Sequence, residues 1–359
     1  MNQVKNSLIA GFCLSLAACS GPDIEAPQFA LDQCYRLPLV DASTGKAVLG
    51  AEDLVWDQAH NRIFIAAYDR RATEKAAKKK TDDHPPSGGI YTITIDQLFE
   101  PVSDALKLTP LAFPHEFSGG LRPHGMTYDA ANRELIFINR TYAKDGRKWR
   151  MTPKLQRLGA NGEVFVGVAS EAPCSANNVV AADGEIFTSF DHASCGWQGG
   201  IENLFNLASS GIAIGTEHVF KKARFANGIA VTDTGDVALA ATREQALLLL
   251  SRTENGTIAE AGRIEVPGGP DNLTKASDGG IVAALHPNMF KLALNRKLGL
   301  GRAPSRIVKA DPDTGNVAIL FDDPDGSKYS AATVAISLPQ GLVLGSVTDS
   351  GLLICREGA

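Results

Sequence analysis

The sequence predicts an all-β fold, a six-bladed β-propeller, and three observations support this. Short apolar or alternating runs are separated by turn sequences such as Asp-Gly, Thr-Gly and Asn-Gly, which is typical of strands joined by tight turns. Candidate helices are few, at 73–80, 201–208 and 289–298. A unit consisting of a polar opening residue, a strand, a tight turn and a second apolar strand recurs six times along the chain, at the interval expected for four-stranded blades.

The opening residues of the six units are the main functional signal of the sequence. They are Glu52-Asp53, His124, Asn177-Asn178, Asn227, Asp271-Asn272 and Ser330. In a propeller the innermost strand of each blade lines the central channel, so residues at equivalent starts of these strands converge around the axis. We therefore expect the openers to meet in a central tunnel although they are far apart in the sequence.

Composition excludes several classes of protein. The chain has 359 residues, of which 44% are hydrophobic and 21% are charged, and its formal net charge is -5. These values are ordinary for a soluble globular protein with a large core. No basic stripe interleaved with aromatic residues is present, so the sequence predicts no nucleic-acid partner.

Residues 1–19 have the pattern of a bacterial export signal. Lys5 precedes an apolar run at 8–18 that is too short to span a bilayer,. The ending LAAC at 16–19 resembles a lipobox, in which Cys19 becomes the lipidated first residue and tethers the protein to a membrane surface. Ser20 favours the periplasmic face of the outer membrane. An ordinary signal peptide with an incidental cysteine is the alternative.

Residues 20–33 are polar and contain Pro22 and Pro27, which predicts a tether between the lipid and the folded part. Residues 34–359 are then expected to form a single propeller domain. The run at 70–89 is rich in lysine and arginine. It is most simply a solvated loop or short exposed helix.

Four cysteines remain after Cys13 and Cys19 are assigned to the signal and the lipid site. In an oxidising compartment four cysteines indicate two disulfides, and spacing alone allows three pairings. Cys34 and Cys355 lie near the two ends of the folded part, and a bridge between them would close the chain on itself. Cys174 and Cys195 are then the remaining pair.

The openers also predict a metal site. Two carboxylates and three amides are offered by Glu52, Asn177, Asn227, Asp271 and Asn272. An all-oxygen set without thiolates suits a hard cation of the size of Ca²⁺ rather than Zn²⁺, which prefers nitrogen and sulfur ligands. The sequence therefore predicts a calcium-binding tunnel.

Several segments resemble the calcium-dependent paraoxonase/arylesterase family, in the same order and at similar intervals. They are GAEDL (50–54), RPHGM (122–126), ANNVVA (176–181), FDH (190–192), FANGIAV (225–231), DNL (271–273) and HPN (286–288), flanked by Cys34 and Cys355. The match covers nearly all of the mature chain. The FANGI-type segment is also similar to the related gluconolactonase and strictosidine-synthase-like propellers.

This resemblance implies a six-bladed propeller with two calcium ions in its tunnel. The ligands of the catalytic ion match Glu52, Asn177, Asn227, Asp271 and Asn272. The structural ion matches Asp53 and Asn178, where the family usually has an aspartate in place of Asn178. Because this difference removes one formal charge, we expect the second calcium to be weaker or absent.

The resemblance also implies catalytic roles. His124 occupies the position of the family's base and would assist attack by water, while direct attack by Asp271 is the alternative. Arg140 stands where the family has a second histidine, and arginine cannot relay a proton. Either His124 acts alone, or another residue orients it, or Arg140 clamps an anionic group of the substrate. His192 and His286 match histidines that line the family's pocket. In the family the connection that corresponds to 70–89 folds over the tunnel mouth, so the resemblance implies a basic lid as the alternative interpretation of that run.

Three functional hypotheses follow. The first is a membrane-tethered, calcium-dependent hydrolase of lactones, with aryl esters as secondary substrates. The second is a sugar-lactone hydrolase of the gluconolactonase type, which has a similar metal set. The third is a non-catalytic propeller, stiffened by its metal, that serves as a binding module.

Overall fold

The computed structural model describes residues 26–79, 81–100, 104–111, 117, 119–159 and 170–356. The predicted signal peptide, the lipobox cysteine Cys19 and the first part of the predicted tether lie outside the described residues.

The described residues form six antiparallel sheets arranged as the blades of a propeller, plus one short parallel pair. The first two strands are β1 (Cys34–Leu37) and β2 (Leu39–Asp41). Blade 1 contains β3 (Ala51–Asp57), β4 (Arg62–Ala67) and β5 (Gly89–Thr94), and β6 (Leu106–Leu108) pairs with β2. Blade 2 contains β7 (Pro123–Asp129), β8 (Glu134–Asp145), β9 (Lys148–Gly159) and β10 (Ser170–Glu171). Blade 3 contains β11 (Ala176–Ala182), β12 (Glu185–Phe190), β13 (Ser210–Ile214) and β14 (Glu217–Ala223).

The last three blades follow the same order from the axis outward. Blade 4 contains β15 (Ala226–Val231), β16 (Val237–Ala241), β17 (Ala246–Arg252) and β18 (Ile258–Glu265). Blade 5 contains β19 (Gly269–Lys275), β20 (Ile281–His286), β21 (Ser305–Ala310) and β22 (Val317–Asp323). Blade 6 contains β23 (Ala332–Leu338), β24 (Gly341–Ser346) and β25 (Leu352–Cys355), with β1 as its outer strand.

The ring closes through both backbone pairing and a disulfide. Each inner strand contacts the inner strand of the next blade, and β23 contacts β3. In blade 6 the N-terminal β1 pairs with the C-terminal β25, with Cys34 opposite Cys355, and these two residues form a disulfide. The all-β, six-bladed propeller is confirmed, as is the predicted pairing of Cys34 with Cys355.

The hydrophobic core lies between adjacent blades. Leu54 and Ile65 of blade 1, for example, pack with Val334, Val343 and Ile354 of blade 6, and all five side chains are buried. Because alternate residues of a strand point to opposite faces, each blade packs against two neighbours at once. This packing fixes the six inner strands around the axis.

We call the end where the inner strands begin the upper face. The α-helices are α1 (Arg70–Ala77), α2 (Ile95–Phe99), α3 (Trp197–Leu204) and α4 (Met289–Ala293), which continues as a π-helical turn over Leu294–Leu298. α2 follows β5 and lies at the opposite end, whereas the other three follow strands that end at the upper face and agree with the predicted helices to within four residues at their starts. None of the described helices has the length and apolar character needed to cross a membrane.

The described end of the predicted tether is packed on the propeller. The backbone N–H groups of Gln28 and Phe29 donate to carbonyls of β22 at 3.0 and 2.9 Å, and the Phe29 side chain is buried. A short 3₁₀ turn over Leu31–Gln33 then leads into β1. The packed part of the chain therefore includes Gln28, six residues before the predicted boundary at residue 34.

Removal of the ring-closing disulfide tests its contribution to stability. The Cys34–Cys355 bridge closes a separation of 321 residues, whereas Cys174–Cys195 closes 21. Since stabilisation by a disulfide grows with the loop that it closes, C34S/C355S is expected to lower the free energy of unfolding by about 3–5 kcal/mol and C174S/C195S by about 2–3 kcal/mol. Urea unfolding followed by tryptophan fluorescence measures both losses. A larger loss for the shorter loop would contradict this expectation.

Candidate active site

Each of the six inner strands departs from regular pairing at the position of its polar opener. The register shifts lie between Ala51 and Asp53, Pro123 and Met126, Ala176 and Val179, Ala226 and Ile229, Pro270 and Leu273, and Ala332 and Val334. A bulge takes one or two residues out of the ladder and changes the direction of their side chains. The residues released in this way include five of the predicted openers, and in the sixth strand the released residue is Thr333 rather than the predicted Ser330.

Five of the released side chains line a cavity of about 710 Å³ at the upper end of the tunnel. Glu52, Asn177, Asn227 and Asp271 reach it from four different blades, and Thr333 reaches it from a fifth. Its upper wall is formed by α4 and neighbouring segments, including Arg70, Phe225, Arg243, Met289, Leu292 and Arg296. The volume is in the range of small-molecule sites.

Two asparagines present oxygens that have no partner. Asn177 Nδ2 donates to Asp191 Oδ1 at 2.7 Å, and Asn227 Nδ2 donates to Asp271 Oδ1. Their Oδ1 atoms are buried and make no hydrogen bond. Since buried polar atoms are normally paired, these oxygens, together with the carboxylate of Glu52, fit a hard cation.

The described residues contain no group of three or more His, Cys, Asp or Glu side chains placed to share a metal ion. The predicted ligand set has two carboxylates, and its other members are amides. The predicted donor set therefore carries less negative charge than a site built from carboxylates alone, and part of the coordination would come from amide oxygens.

The fifth predicted ligand, Asn272, lies beneath the cavity and belongs to a separate network. Asn272 Nδ2 donates to the backbone carbonyl of Glu52 at 2.9 Å, and Asn272 Oδ1 accepts from Asn178 Nδ2 at 2.9 Å. Asn178 Nδ2 also lies 3.5 Å from Asp53 Oδ2, which accepts from Met126 N at 2.7 Å. The amide of Asn178 thus stands between Asp53, which the resemblance assigns with Asn178 to the second ion, and Asn272, which it assigns to the catalytic ion.

Two histidines are each in close contact with a predicted carboxylate ligand. His286 Nε2 lies 2.6 Å from Asp271 Oδ2, and both residues line the cavity. His124 Nδ1 lies 2.7 Å from Glu52 Oε2, in a close contact that is not aligned as a hydrogen bond. Each carboxylate therefore has an imidazole at its side.

The two histidines differ in their access to the cavity. His124 is 0% exposed and does not belong to the cavity wall, because it lies behind Glu52. Burial, followed by the positive charge of Arg140, lowers the pKa of His124 to about 3 against the opposing charge of Glu52. At neutral pH its imidazole is therefore uncharged.

Arg140 and His192, the other two residues predicted in the pocket, do not line the cavity. Arg140 is buried beside the tunnel, where its Nε atom has no hydrogen-bond partner. Its charge acts on Glu52, His124 and Asp191. His192 Nδ1 contacts the carbonyl of Ser194 at 2.6 Å, so this histidine takes part in the loop that follows β12 rather than in the cavity wall.

Sequence reasoning missed several polar residues of the cavity, among them Arg70, Asp191, Arg296 and Thr333. Asp191 precedes His192 in the FDH segment, in which the resemblance pointed to the histidine and not to the aspartate. Burial raises the pKa of Asp191, while Arg140 and the hydrogen bond from Asn177 oppose this shift. Arg70 is the first residue of the basic run at 70–89. The interpretation of that run as a lid was the signal that could have located this residue at the cavity. For Arg296 the only signal was its place in a predicted helix.

The second disulfide holds part of the cavity wall. Cys174 and Cys195 are bonded, which confirms the predicted pairing. The bridge joins the segment before β11 to the loop after β12. These two segments carry Asn177 and Asp191, which are hydrogen-bonded to each other.

No family model matches this chain, and no curated protein matches it. Among solved structures, it is similar to a structural-genomics target assigned provisionally as a gluconolactonase, with a TM-score of 0.53 and 16% identity over 90% of this chain and 92% of that one. It is also similar to a gluconolactonase from Xanthomonas campestris, with a TM-score of 0.51 and 14% identity over 93% of this chain and 95% of that one. At these identities the similarity shows the propeller fold. Membership of the paraoxonase/arylesterase family stays a prediction.

Gly228, which follows the opener Asn227, tests how closely the inner strands approach each other. A Cβ on Gly228 would lie 2.5 Å from Asn272 Cα and closer still to the carbonyl oxygen of Asp271. Gly228→Ala is therefore expected to cost about 1–3 kcal/mol by forcing β15 and β19 apart, with a parallel loss of site function. Thermal unfolding measures the cost. Gly262→Ala on β18 is the control, because its nearest contact is 3.4 Å away, and an equal loss there would contradict the prediction.

Proposed function

We propose that this protein is a calcium-dependent hydrolase of lactones, with aryl esters as secondary substrates. The observation that carries this proposal is the convergence of Glu52, Asn177, Asn227 and Asp271 from four blades on one cavity, with two amide oxygens left without partners. The two similar solved structures carry the name gluconolactonase, which supports lactone chemistry in a cavity at this place in the fold.

Calcium would be held by Glu52, Asn177, Asn227 and Asp271, with Asn272 directly beneath them. When bound, it supplies a positive charge that polarises the substrate carbonyl and stabilises the negative charge that develops on its oxygen. The protein's own contribution is orientation. Asp191 and Asp271 hold the amide nitrogens of Asn177 and Asn227, so the amide oxygens stay directed away from these carboxylates.

Proton transfer is the second task of the site. Asp271 and His286 form a hydrogen-bonded pair that faces the cavity, so they can accept a proton from an attacking water, or Asp271 can attack the carbonyl directly. His124 holds the position that the resemblance assigns to the base. Because His124 lies behind Glu52, we propose that it positions the Glu52 carboxylate. The Asp271–His286 pair then accepts the proton of the attacking water.

Hydrolysis of sugar lactones is the second candidate, favoured by the names of the two similar structures. Assays with a hydrophobic lactone and with gluconolactone under the same conditions would separate the two substrate classes. Calcium binding without turnover of any ester or lactone would instead favour the non-catalytic binding module.

We also propose that the chain is exported and tethered by a lipid on Cys19 at the periplasmic face of the outer membrane. Two disulfides support an oxidising compartment,.

Removal of calcium tests the metal dependence. Excess EGTA is expected to abolish lactone and aryl-ester hydrolysis, and added calcium to restore it, because the carbonyl would lose its main source of charge stabilisation. Metal analysis of the purified protein is expected to give about one calcium per chain, since the Asn178 amide provides hydrogen-bond donors where the second ion would need negative charge. Full activity in excess EGTA would refute the proposal.

Three single substitutions distinguish the roles of the acid and the two histidines. Asp271→Asn is expected to lower kcat/KM by a factor of about 10³ or more, and His286→Gln by about 10². His124→Gln is expected to weaken calcium binding, measured by titration calorimetry, more than it lowers kcat at saturating calcium. If His124→Gln lowers kcat as much as Asp271→Asn while His286→Gln is fully active, then His124 is the base.

A further inference from the structure

The upper wall of the cavity contains two arginines that share one glutamate, and a third arginine is buried nearby. Arg70 Nε lies 3.1 Å from Glu74 Oε1, and Arg296 Nη2 lies 3.8 Å from the same oxygen. The charge of Arg140 also lowers the pKa of Glu74. Arg70 and Arg296 line the cavity, whereas Arg140 is buried beside it. We call Arg70, Arg140 and Arg296 the arginine cluster.

The cluster is held in place by contacts between α1 and the π-helical turn after α4. Arg71 Nη2 donates to the carbonyl of Asn295 at 2.6 Å, and Arg71 Nε donates to the carbonyl of Arg296 at 3.2 Å. A guanidinium group that binds the last carbonyls of a helix stabilises that helix end. Arg71 therefore fixes the two segments relative to each other, which leaves Arg70 and Arg296 free of that structural task.

Positive charge in the cluster is only partly compensated. Among the described residues, Glu74 is the carboxylate within ion-pair distance of Arg70 and Arg296. The charge of Arg70, followed by burial and then the charge of Arg140, lowers the pKa of Arg296 to about 10 even though Glu74 opposes the shift. At Arg70 itself burial is outweighed by nearby acidic groups, which raise its pKa, so the uncompensated positive charge is centred on Arg296. Like charges held at short range in a partly buried site favour the binding of an anion between them.

Once the proposed calcium is bound, the carboxylates at the floor of the cavity do not neutralise the positive charge of the arginine cluster. Glu52, Asp191 and Asp271 line the floor, and a divalent cation compensates most of their charge. The guanidinium groups above them then face a cavity that also has an apolar wall, formed by Phe225, Met289, Leu292, Ala293 and Val347. A ligand that fits has a carbonyl near the floor, a short apolar part and a negative group at the top.

Resting on the proposed function, we propose that Arg70 and Arg296 bind an anionic group of the substrate, so that the preferred substrates are esters or lactones carrying a carboxylate or a phosphate. Guanidinium groups bind both anions through two parallel hydrogen bonds, which a lysine cannot reproduce. Arg140 acts behind them and adds its charge without direct contact.

The kinetic test uses two aryl esters that differ mainly in charge, 4-nitrophenyl butyrate and mono-4-nitrophenyl glutarate. Arg70→Gln and Arg296→Gln are each expected to raise KM for the glutarate ester about tenfold, and to change kcat/KM for the neutral butyrate by less than about twofold. Arg296→Lys is expected to recover only part of the loss. Lys309→Gln, which removes a cation paired with Asp278 at the opposite end of the blade, is the control and should change neither ester. Equal losses on the two esters, or no loss on the glutarate ester, would overturn the proposal.

A binding measurement keeps this inference separate from the proposed function. Titration calorimetry with glutarate and with methyl phosphate, in buffer with calcium, is expected to show binding to the wild-type protein and at least about tenfold weaker binding to the Arg70→Gln/Arg296→Gln variant. The tighter of the two probes identifies the anionic group. If neither ester is hydrolysed but the probes bind in this arginine-dependent way, the function fails and the anion site stands. Equal binding to both proteins overturns the anion site.

Discussion

The site depends on the irregular pairing of all six inner strands at the point where they approach the axis. A regular strand would send every second side chain toward a neighbouring blade, whereas the register shifts release Glu52, Asn177, Asn227 and Asp271 together toward the cavity. The approach is tight, since a side chain at Gly228 would meet the backbone of the next inner strand. Packing between blades and the ring-closing disulfide hold this geometry, so the core stabilises a ring of polar groups that would be unfavourable on its own.

The buried polar groups of the site need hydrogen-bond partners, and they supply most of these partners to one another. The carboxylates of Asp191 and Asp271 accept from the amides of Asn177 and Asn227, and Asp271 also contacts His286. These bonds use the amide nitrogens and leave the oxygens unpaired. The result is a floor rich in oxygen atoms below a wall rich in guanidinium groups. In the proposed function, a substrate between them would place its carbonyl at the calcium on the floor and its anionic group at the guanidinium groups, which would fix its direction in the cavity.

The recurrence of polar openers was visible in the sequence because it depends on local pattern: a polar residue before a strand, a turn and a second strand. That pattern was enough for the six blades, while both disulfides were predicted from the positions of the four cysteines. It could not reveal the bulges, and so the sixth opener was placed at Ser330 rather than Thr333. It also could not show that His124 lies behind Glu52, or that Arg70 and Arg296, 226 positions apart in the sequence, share Glu74. These facts depend on which segments meet across the upper face, which local pattern does not encode.

The place of Asn178 illustrates how one amide changes the lower part of the tunnel. Its Nδ2 donates toward Asn272 and Asp53, and its Oδ1 accepts from Val179 N at 2.7 Å. An aspartate at this position would offer oxygens to its surroundings and would need a cation beside Asp53, because two buried carboxylates repel each other. The amide offers donors instead, and its hydrogen bonds connect blades 1, 3 and 5.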